Sequence, residues 1–497
     1  MLTPSERLPA AILVSLVAAA LITLSRRHPN VREAWTFLAA SIKAALVLSL
    51  VPTVAGGAIV ESTPLALLPG IALHFRADAF GLLFAAVASV LWLITSVFSV
   101  GYLRSGGYEH QTSYFAWFAV CLSATMGIAF AANLVTFFVF YEILTIATYP
   151  LVIHFRTEEA KRAGRQYLAY TLIAGQCLLL AIAAVHVIAP GAEFQPGGFL
   201  AGRAATPALA VLFALFIVGV GVKAALMPLH GWLPEAMVAP TPVSALLHAV
   251  AVVKAGAFGC VRIVGYVFGV DLLRDIGADL VLAIVASITI MAASIRALGE
   301  GNLKRRLAYS TVGQLSYIVL GAAVGSAAAL AGAMFHIAAH GVMKITMFFC
   351  AGAIHVKTHL EAIEDLGGVG RQMPLTIGAF ALCALGLAGT PLFAGFISKW
   401  NVGLGAYQAD HSMFIGVLLL SGLLNFAYFM PIVRSAFLDG AGALRFDDAR
   451  AALTVPLVLT ALAAIVLGIH PDAGAGLYHL AWEAARSIVS SDARRVL

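Results

Sequence analysis

Five ionisable residues lie inside stretches of this chain that are otherwise typical of membrane-spanning helices. They are Glu142 in NLVTFFVFYEILTIATYPLV, Lys223 in LFALFIVGVGVKAALMPLHGWLP, Lys254 in LLHAVAVVKAGAFGC, Lys344 in MFHIAAHGVMKITMFFCAG and Lys399 in LFAGFISKW. An ionised side chain at the middle of a bilayer costs about 3 kcal/mol on insertion scales, so such residues are rare unless they are paired and used. Several of them in one chain predict a path for charge transfer.

A glutamate and a lysine in a dry helix bundle can load and unload one proton. Desolvation favours the neutral form of a lysine, whereas a nearby carboxylate favours its charged form. Glu142 and Lys223 are the candidate pair. The alternative is a static buried ion pair that holds two helices in register. Further lysines in series, inside a membrane, favour the proton carrier.

Histidines extend this predicted path. His336, His340 and Lys344 follow one another at intervals of four residues, so they share one helix face and could support a chain of hydrogen-bonded water. The alternative is that the three side chains satisfy each other at a helix interface.

Two more histidines belong to the same set of candidates. His248 precedes Lys254 by six residues, which places it on a different face of the same helix, and it is expected to bridge toward another helix. His230 follows Pro228, where it is either a helix cap or a relay member, and the sequence leaves both open.

The composition indicates an all-α polytopic membrane protein. Of the 497 residues, 61% are hydrophobic and 11% are charged, and the mean hydropathy is +0.96, well outside the range of globular proteins. The net charge of +6 reflects loop arginines and lysines and does not support nucleic-acid binding. The cysteines lie in apolar segments without CxxC spacing, so neither a metal site nor a disulfide framework is expected. They are Cys121, Cys177, Cys260, Cys350 and Cys383.

A window of about 20 apolar residues predicts about fourteen membrane spans. Lys43 weakens the second of them and is expected to snorkel to an interface. The approximate span centres are residues 16, 48, 90, 122, 144, 177, 217, 251, 287, 320, 345, 386, 421 and 461.

Basic residues concentrate in alternate connections between these spans. By the positive-inside rule those connections are cytoplasmic, and both termini then lie outside a bacterial or archaeal cytoplasmic (inner) membrane. The cytoplasmic set contains Arg26, Arg27, Arg32, Arg104, Arg156, Lys161, Arg162, Arg165, Arg296, Lys304, Arg305, Arg306, Lys357, Arg371, Arg434, Arg445 and Arg450. The opposite set contains little beyond Arg76, Arg203, Arg262 and Arg274.

Predicted spans 7 and 12 contain helix-breaking residues at corresponding places. Pro228 follows Lys223 by five residues, and Pro391 precedes Lys399 by eight. Unwound backbone at membrane depth is tolerated only where protein or water lines it. The matching breaks therefore point to an internal repeat whose halves are residues 113–265 and 278–435, with a site at each break.

Four long motifs resemble a known family of membrane proteins. The run HGWLPEAMVAPTPVSALLHAVAVVKAG at 230–256 is similar to the signature of the antiporter-like, proton-conducting membrane subunits of NADH-quinone oxidoreductase (complex I), Mrp-type Na+/H+ antiporters (subunits A and D) and energy-converting membrane hydrogenases. NLKRRLAYSTVGQLSYI at 302–318, FHIAAHGVMKITMFFCAG at 335–352 and GTPLFAGFISKW at 389–400 follow in the family's order. The resemblance covers roughly residues 70–435.

This resemblance implies a core of fourteen helices in which the two halves, residues 113–265 (helices 4–8) and 278–435 (helices 9–13), are inverted five-helix repeats. Residues 1–112 would supply helices 1–3, and residues 436–497 the last helix and a short tail. It assigns Glu142 to the glutamate of helix 5, and Lys223 and Lys254 to the lysines of helices 7 and 8. Lys399 matches the residue of helix 12, which is lysine in some members and glutamate in others. Protons are expected to move along this axis.

Lys399 has two interpretations. It is either the exit of the path toward the outside, or an interfacial lysine that snorkels outward beside Trp400, which is a typical interface anchor. The interrupted helix before it favours the exit, because a broken helix can place the residue deeper than a straight-helix count indicates.

The sequence favours a proton-translocating subunit that works with other membrane subunits and is driven by redox chemistry elsewhere or by a sodium gradient; whether sodium also moves stays open. No Gly-rich phosphate loop, cysteine cluster or haem motif occurs, so no cofactor is expected and any redox chemistry belongs to partner subunits. The alternative is an autonomous secondary transporter of a small solute or ion, which needs a roomy midplane pocket with specificity groups. A scaffold that has lost conduction is disfavoured because the glutamate and all the lysines are present.

Overall fold

The computed structural model describes residues 2–439 and 446–493 as a helical bundle with two small sheets. It confirms the helical membrane fold class that the composition predicts. Arg445, one of the basic loop residues above, lies outside the described residues, as do residues 494–497 of the predicted tail.

The N-terminal part contains seven helices and two antiparallel strand pairs. In chain order the elements are α1 (Pro4–Leu24), α2 (Pro29–Leu48), α3 (Val51–Ala55), β1 (Val60–Glu61), β2 (Leu65–Leu68), β3 (Ile71–Leu73), β4 (Arg76–Ala77), α4 (Ala79–Ser105), α5 (Gln111–Ala129), α6 (Leu134–Val152) and α7 (Glu158–Ile188). Strand β1 pairs with β4 and β2 pairs with β3. The hydropathy pattern did not predict these strands, because each is too short to show an alternation of two residues.

The remaining elements are helical. They are α8 (Thr206–Gly221), α9 (Trp232–Glu235), a 3-10 turn (Ala236–Val238), α10 (Thr241–Ala249), α11 (Val252–Arg262), a π-helical turn (Ile263–Phe268), α12 (Val270–Asp275), α13 (Ala278–Gly299), α14 (Leu303–Val324), α15 (Ala327–Thr358), a 3-10 turn (Ile363–Leu366), α16 (Val369–Gln372), α17 (Pro374–Ala388), α18 (Ala394–Gln408), α19 (Met413–Leu438), α20 (Ala451–Ile469) and α21 (Leu477–Ala493).

Twelve helical segments of the described chain are long and apolar enough to cross a membrane. Helices α8 and α17 are apolar but have only 16 and 15 residues, and both end where the sequence predicts a break. The figure of about fourteen spans depends on counting these two short helices, so it stays a prediction, as do the inverted repeats and the four segment boundaries.

At each break a side-chain N–H donates to a backbone carbonyl. After α8 ends, the Val222 carbonyl accepts from the Ala225 N–H at 3.0 Å and from Trp232 Nε1 at 2.8 Å. After α17, Lys399 Nζ donates to the Leu387 carbonyl at 2.6 Å. Because an unpaired carbonyl in the bilayer interior is costly, these contacts allow the chain to leave the helix at membrane depth.

Glycine permits close packing at both breaks. A Cβ on Gly395 would lie 2.1 Å from the Gly386 carbonyl oxygen, across the gap between α17 and α18. A Cβ on Gly256 would lie 2.1 Å from the amide nitrogen of Ala224, next to Lys223. No side chain fits at either position without movement of the backbone.

Helices α14, α15 and the α10–α11 segment form the centre of the bundle. The most apolar windows of α15 and of Thr241–Phe268 are completely buried, and that of α14 is 94% buried, whereas α19 is only 33% buried. Polar side chains on the three central helices therefore face protein rather than lipid.

Two sequence predictions for single features are wrong. Lys43 does not snorkel: it is fully buried, donates to the Leu122 carbonyl at 3.0 Å and lies 4.7 Å from the centre of the Trp92 ring. Arg262 is not a loop residue, because the π-helical turn extends its helix and Asp78 binds its guanidinium at 2.5 and 2.7 Å. The predicted short tail contains α21, which packs against α15 and α4.

Candidate functional site

Lys223 lies in the unwound segment that follows α8 and is only 1% exposed. Its ammonium donates to the Tyr141 carbonyl at 2.5 Å and lies 3.3 Å from the centre of the Tyr141 ring. The structure thus anchors this lysine on α6 through the backbone of the residue that precedes Glu142.

Glu142 is the acidic neighbour of Lys223. It lies close enough to interact electrostatically with Lys223, but Glu142 Oε1 is buried without a hydrogen-bond partner. A Cβ on Gly175 of α7 would lie 2.7 Å from this oxygen, so the carboxylate packs directly on that glycine. The two residues are neighbours on facing elements, and Lys223 takes the carbonyl as its hydrogen-bond acceptor.

Lys254 and His340 form the central contact of the site. Lys254 Nζ lies 2.7 Å from His340 Nδ1, and both residues are fully buried. When Lys254 is charged, its ammonium can only donate, so Nδ1 accepts and the second ring nitrogen of His340 carries the proton. This Nε2 atom has no hydrogen-bond partner among the described residues.

His336 lies one helical turn before His340, and their ring centres are 5.8 Å apart. Its Nδ1 lies 2.7 Å from Ser398 Oγ on α18, and its Nε2 lies 3.1 Å from Gln314 Oε1 on α14. The sequence predicts the shared face of His336 and His340, and the structure adds two polar partners from other helices.

Lys344 lies on the same helix but contacts a different set of groups. Its ammonium donates to Ser310 Oγ at 2.9 Å, and the same oxygen lies 3.1 Å from the Tyr428 hydroxyl. Lys344 therefore does not contact His340 directly but joins the network through α14 and α19.

Lys399 is 9% exposed and turns toward the break. Besides the Leu387 carbonyl, its ammonium approaches the Ala388 carbonyl at 3.5 Å and the centre of the Tyr317 ring at 4.5 Å. Trp400 beside it is 62% exposed. The tryptophan faces outward as an interface anchor would, and the lysine does not.

His230 and His248 are not hydrogen-bonded to these residues. His248 is buried and packs on the Phe348 ring at 4.7 Å between ring centres. Neither of its nitrogens has a hydrogen-bond partner in the part of the chain that the structure describes. It thus reaches α15 by packing alone. The His230 ring centre lies 6.3 Å from that of Tyr309, and its Nδ1 is without a partner.

A polar zipper between α14 and α19 was missed at the level of sequence. It consists of Ser310, Gln314 and Tyr317 on α14 and of Ser421, Asn425 and Tyr428 on α19. Tyr317 OH donates to Ser421 Oγ at 2.7 Å, Gln314 Nε2 donates to Asn425 Oδ1 at 3.0 Å, and Tyr428 contacts Ser310 and Asn425.

The pairing in this zipper is reciprocal, because both helices carry the same short pattern. Ser310-x3-Gln314-x2-Tyr317 on α14 matches Ser421-x3-Asn425-x2-Tyr428 on α19, and the serine of each helix meets the tyrosine of the other. The repeated pattern S-x3-[QN]-x2-Y is the sequence signal from which this zipper could have been predicted. The zipper connects Ser310, which contacts Lys344, with Tyr317, whose ring lies next to Lys399.

Residues 131–425, more than half of the chain, match the family described as NADH:quinone oxidoreductase/Mrp antiporter, transmembrane region. NADH-quinone oxidoreductase subunit N of Desulforudis audaxviator (strain MP104C) is 33% identical over 397 residues, which cover 76% of this chain and 78% of that protein.

Solved structures show the same fold over nearly the whole chain. A chain of the Mrp complex from Dietzia sp. DQ12-45-1b has a TM-score of 0.88 at 23% identity and covers 99% of this chain and 98% of its own. A chain of the membrane-bound sulfane sulfur reductase, an archaeal respiratory membrane complex, has a TM-score of 0.87 at 24% identity and covers 99% of both. The family resemblance of the four motifs is confirmed: this chain is a multi-pass membrane protein of the NADH:quinone oxidoreductase/Mrp antiporter family.

Proposed function

We propose that this chain translocates protons as an antiporter-like subunit of a multisubunit membrane complex. The observation that supports this most directly is the contact of Lys254 with His340, two fully buried titratable groups at 2.7 Å in the centre of the bundle. A buried lysine that contacts only a histidine and no carboxylate is costly as a structural element and useful as a proton donor.

The proposed path runs from Glu142 and Lys223 through Lys254 and the two α15 histidines to Lys399. Lys344 is a side branch that supplies or withdraws charge next to the path. The buried Nε2 of His340 and both nitrogens of His248 lack partners among the described residues, and buried polar groups of this kind are commonly satisfied by ordered water. We assign His230 and His248 to hydration of the path rather than to direct transfer.

Other membrane subunits are the partners in this proposal. The relatives named above are a subunit of NADH-quinone oxidoreductase and chains of an Mrp complex and a respiratory complex. Redox chemistry or a sodium gradient in the partner subunits would drive proton movement here. This chain itself would perform no catalysis.

We further infer the orientation and the repeat. The basic connections support a cytoplasmic-membrane protein with both termini outside. The two breaks support the inverted repeats at 113–265 and 278–435, because at each a side-chain N–H donates to a backbone carbonyl and each is packed by a glycine.

An autonomous solute transporter has less support. The cavity next to Lys399 has a volume of about 760 Å³, which is roomy enough for a small solute. Its walls are mainly apolar and aromatic, with Lys399 and Thr390 as polar members, whereas a specific solute site needs several converging polar groups. The cavity fits better as the opening of an ion path than as a solute site.

The proposal is tested by two matched lysine substitutions in the reconstituted complex. Lys254→Met removes a fully buried lysine of the path, and Lys43→Met removes one that is equally buried but contacts only Leu122 and Trp92. Proton uptake should fall on the order of a hundredfold in the first variant and stay near wild type in the second, with both complexes assembled. Normal proton movement in Lys254→Met would overturn the proposal.

A further inference from the structure

The amide groups of Gln314 and Asn425 have fixed orientations. Gln314 Nε2 lies 3.3 Å from the Leu387 carbonyl oxygen, and Asn425 Nδ2 lies 2.6 Å from the Ser421 carbonyl oxygen. A carbonyl oxygen only accepts hydrogen bonds, so each amide must turn its NH2 group toward it. The Gln314 and Asn425 amide oxygens then have no freedom to exchange places with their nitrogens.

This orientation determines the tautomer of His336. The fixed Gln314 Oε1 faces His336 Nε2 at 3.1 Å, and because this oxygen can only accept, His336 Nε2 must carry a proton. In the neutral imidazole the other nitrogen, Nδ1, is then free of a proton and must accept. Its partner is the Ser398 hydroxyl at 2.7 Å.

Ser398 has one hydroxyl proton and two acceptors within reach. Besides His336 Nδ1, the Gly395 carbonyl oxygen lies 3.0 Å from Ser398 Oγ. When His336 is neutral, the hydroxyl donates to Nδ1. When His336 takes a second proton, this proton sits on Nδ1 and donates to Oγ, and the hydroxyl must turn to the Gly395 carbonyl.

We infer that Gln314 and Ser398 are positioning residues: Gln314 directs the second proton of His336 to Nδ1, and Ser398 transmits the charge of His336 to the beginning of α18. Gly395 packs on Gly386 across the break, and Lys399 follows Ser398 directly. A proton on His336 therefore adds a hydrogen bond inside the helix that carries Lys399. The functional consequence rests on the proposed proton path, but the tautomer does not.

The surroundings of His336 contain only cationic or neutral titratable groups among the described residues that face it. Lys254 and Lys399 act on it electrostatically, His340 stacks on one side and the Tyr317 ring meets it edge-on at 5.7 Å between ring centres. No carboxylate shares this site. A charge on His336 is thus held mainly by Gln314 and Ser398, which is why loss of either should be measurable.

The tautomer is tested by nitrogen NMR of the reconstituted complex with 15N-labelled histidine, with His336→Gln used to assign the signal by difference. In the wild type, neutral His336 should show a protonated Nε2 and a bare Nδ1. Gln314→Met has a side chain of similar volume but removes the oxygen that accepts from His336 Nε2. A mixture of both His336 tautomers is therefore expected in this variant. A protonated Nδ1 in the neutral wild type, or an unchanged signal in Gln314→Met, would overturn the inference.

The role of Ser398 is tested by titration of the same signal and by proton uptake. Ser398→Ala removes only Oγ, which accepts the Nδ1 proton of charged His336. The doubly protonated form of His336 should therefore require lower pH, and proton uptake should fall about tenfold. Ser398→Thr keeps the hydroxyl and should restore both readouts. Ser316→Ala is the control, since Ser316 is equally buried on α14 and bonds only to the Val312 carbonyl of its own helix.

The outcomes separate this inference from the proposed function. If His336 titrates in Ser398→Ala as it does in the wild type while Lys254→Met abolishes proton uptake, the role inferred for Ser398 is wrong and the proton path stands. If the tautomer and its titration behave as expected while Lys254→Met transports normally, the hydrogen-bond assignment stands and the proton path is wrong.

Discussion

At the scale of single residues, the anchoring of Lys223 is the least expected feature of the path. The ammonium is held by the Tyr141 carbonyl, which accepts a hydrogen bond from the neutral amine as well as from the charged form. A carbonyl therefore positions the group without fixing its charge. Glu142 can adjust that charge from nearby without a direct bond.

Lys223→Arg should abolish proton translocation as completely as Lys223→Ala. A guanidinium remains protonated at every accessible pH and cannot release its proton, although it can still donate to the Tyr141 carbonyl. Proton uptake by reconstituted vesicles measures this directly, with subunit assembly as the control. Wild-type rates in the arginine variant would show that Lys223 acts only as a fixed charge.

Glu142→Gln and Lys223→Ala should be non-additive in the same assay. Each variant disables the same loading step, so the double variant is expected to be no worse than the more damaging single one. Glu142→Asp, which keeps the charge, should be milder. Strictly additive losses on the logarithmic scale would mean that the two residues act independently.

At the scale of elements, the two broken helices are the parts that the sequence predicted best. Proline and glycine next to a lysine in an apolar stretch give a strong signal, and both breaks occur where this signal lies. The partners of the carbonyls at the breaks could not be predicted. The Leu387 carbonyl accepts from Gln314 of another helix as well as from Lys399, and sequence spacing contains no information on the Gln314 contact.

The polar zipper and Arg262 show why the rest of the site was missed. Serine, asparagine, glutamine and tyrosine hardly lower the hydropathy of a span, so the α14–α19 zipper does not stand out among apolar neighbours. Arg262 was assigned to a loop because its partner Asp78 is 184 residues away in the chain. Charge alone indicates neither depth nor partner, which also explains the error at Lys43.

Gly395→Ala should destabilise the second break, whereas Gly378→Ala in α17 should not. A methyl group at 395 would meet the Gly386 carbonyl oxygen at 2.1 Å, while nothing lies within 4 Å of the corresponding position at 378. Overpacking of this kind costs about 1–3 kcal/mol. Thermal unfolding of the purified complex and proton uptake should both decline for Gly395→Ala, and equal behaviour of the two variants would contradict the close approach of the half-helices.

At the scale of the whole molecule, the titratable residues extend from α6 to α18 through the most buried helices. Helix α15 contributes His336, His340 and Lys344, and it packs against α10, α14, α17, α18 and α20. One central helix thus connects the surroundings of both breaks. In the proposed function, this arrangement would give a lateral path whose ends lie at Lys223 and Lys399.

Lys399 is the proposed exit of this path, and the cavity beside it supplies the opening. The cavity of about 760 Å³ is lined by Lys399 and by the exposed Trp400, so it extends from the buried ammonium to the surface of the chain. In the orientation that the basic loops predict, α17 begins at the cytoplasmic side and the chain runs outward through the break and α18. A proton released from Lys399 would leave through the gap between α18 and α19.

Lys399→Glu should retain part of the proton translocation, whereas Lys399→Met should lose it. A carboxyl group at this position can still exchange protons, but it cannot donate to the Leu387 carbonyl when ionised, so partial rather than full activity is expected. Methionine fills a similar volume and has no titratable group, which makes it the matched control for packing. The measurement is the rate of proton uptake in vesicles, normalised to assembled complex. Normal translocation by the methionine variant would mean that Lys399 only caps the Leu387 carbonyl. The exit would then have to lie at another titratable group. Lys344, which contacts Ser310, is the next candidate.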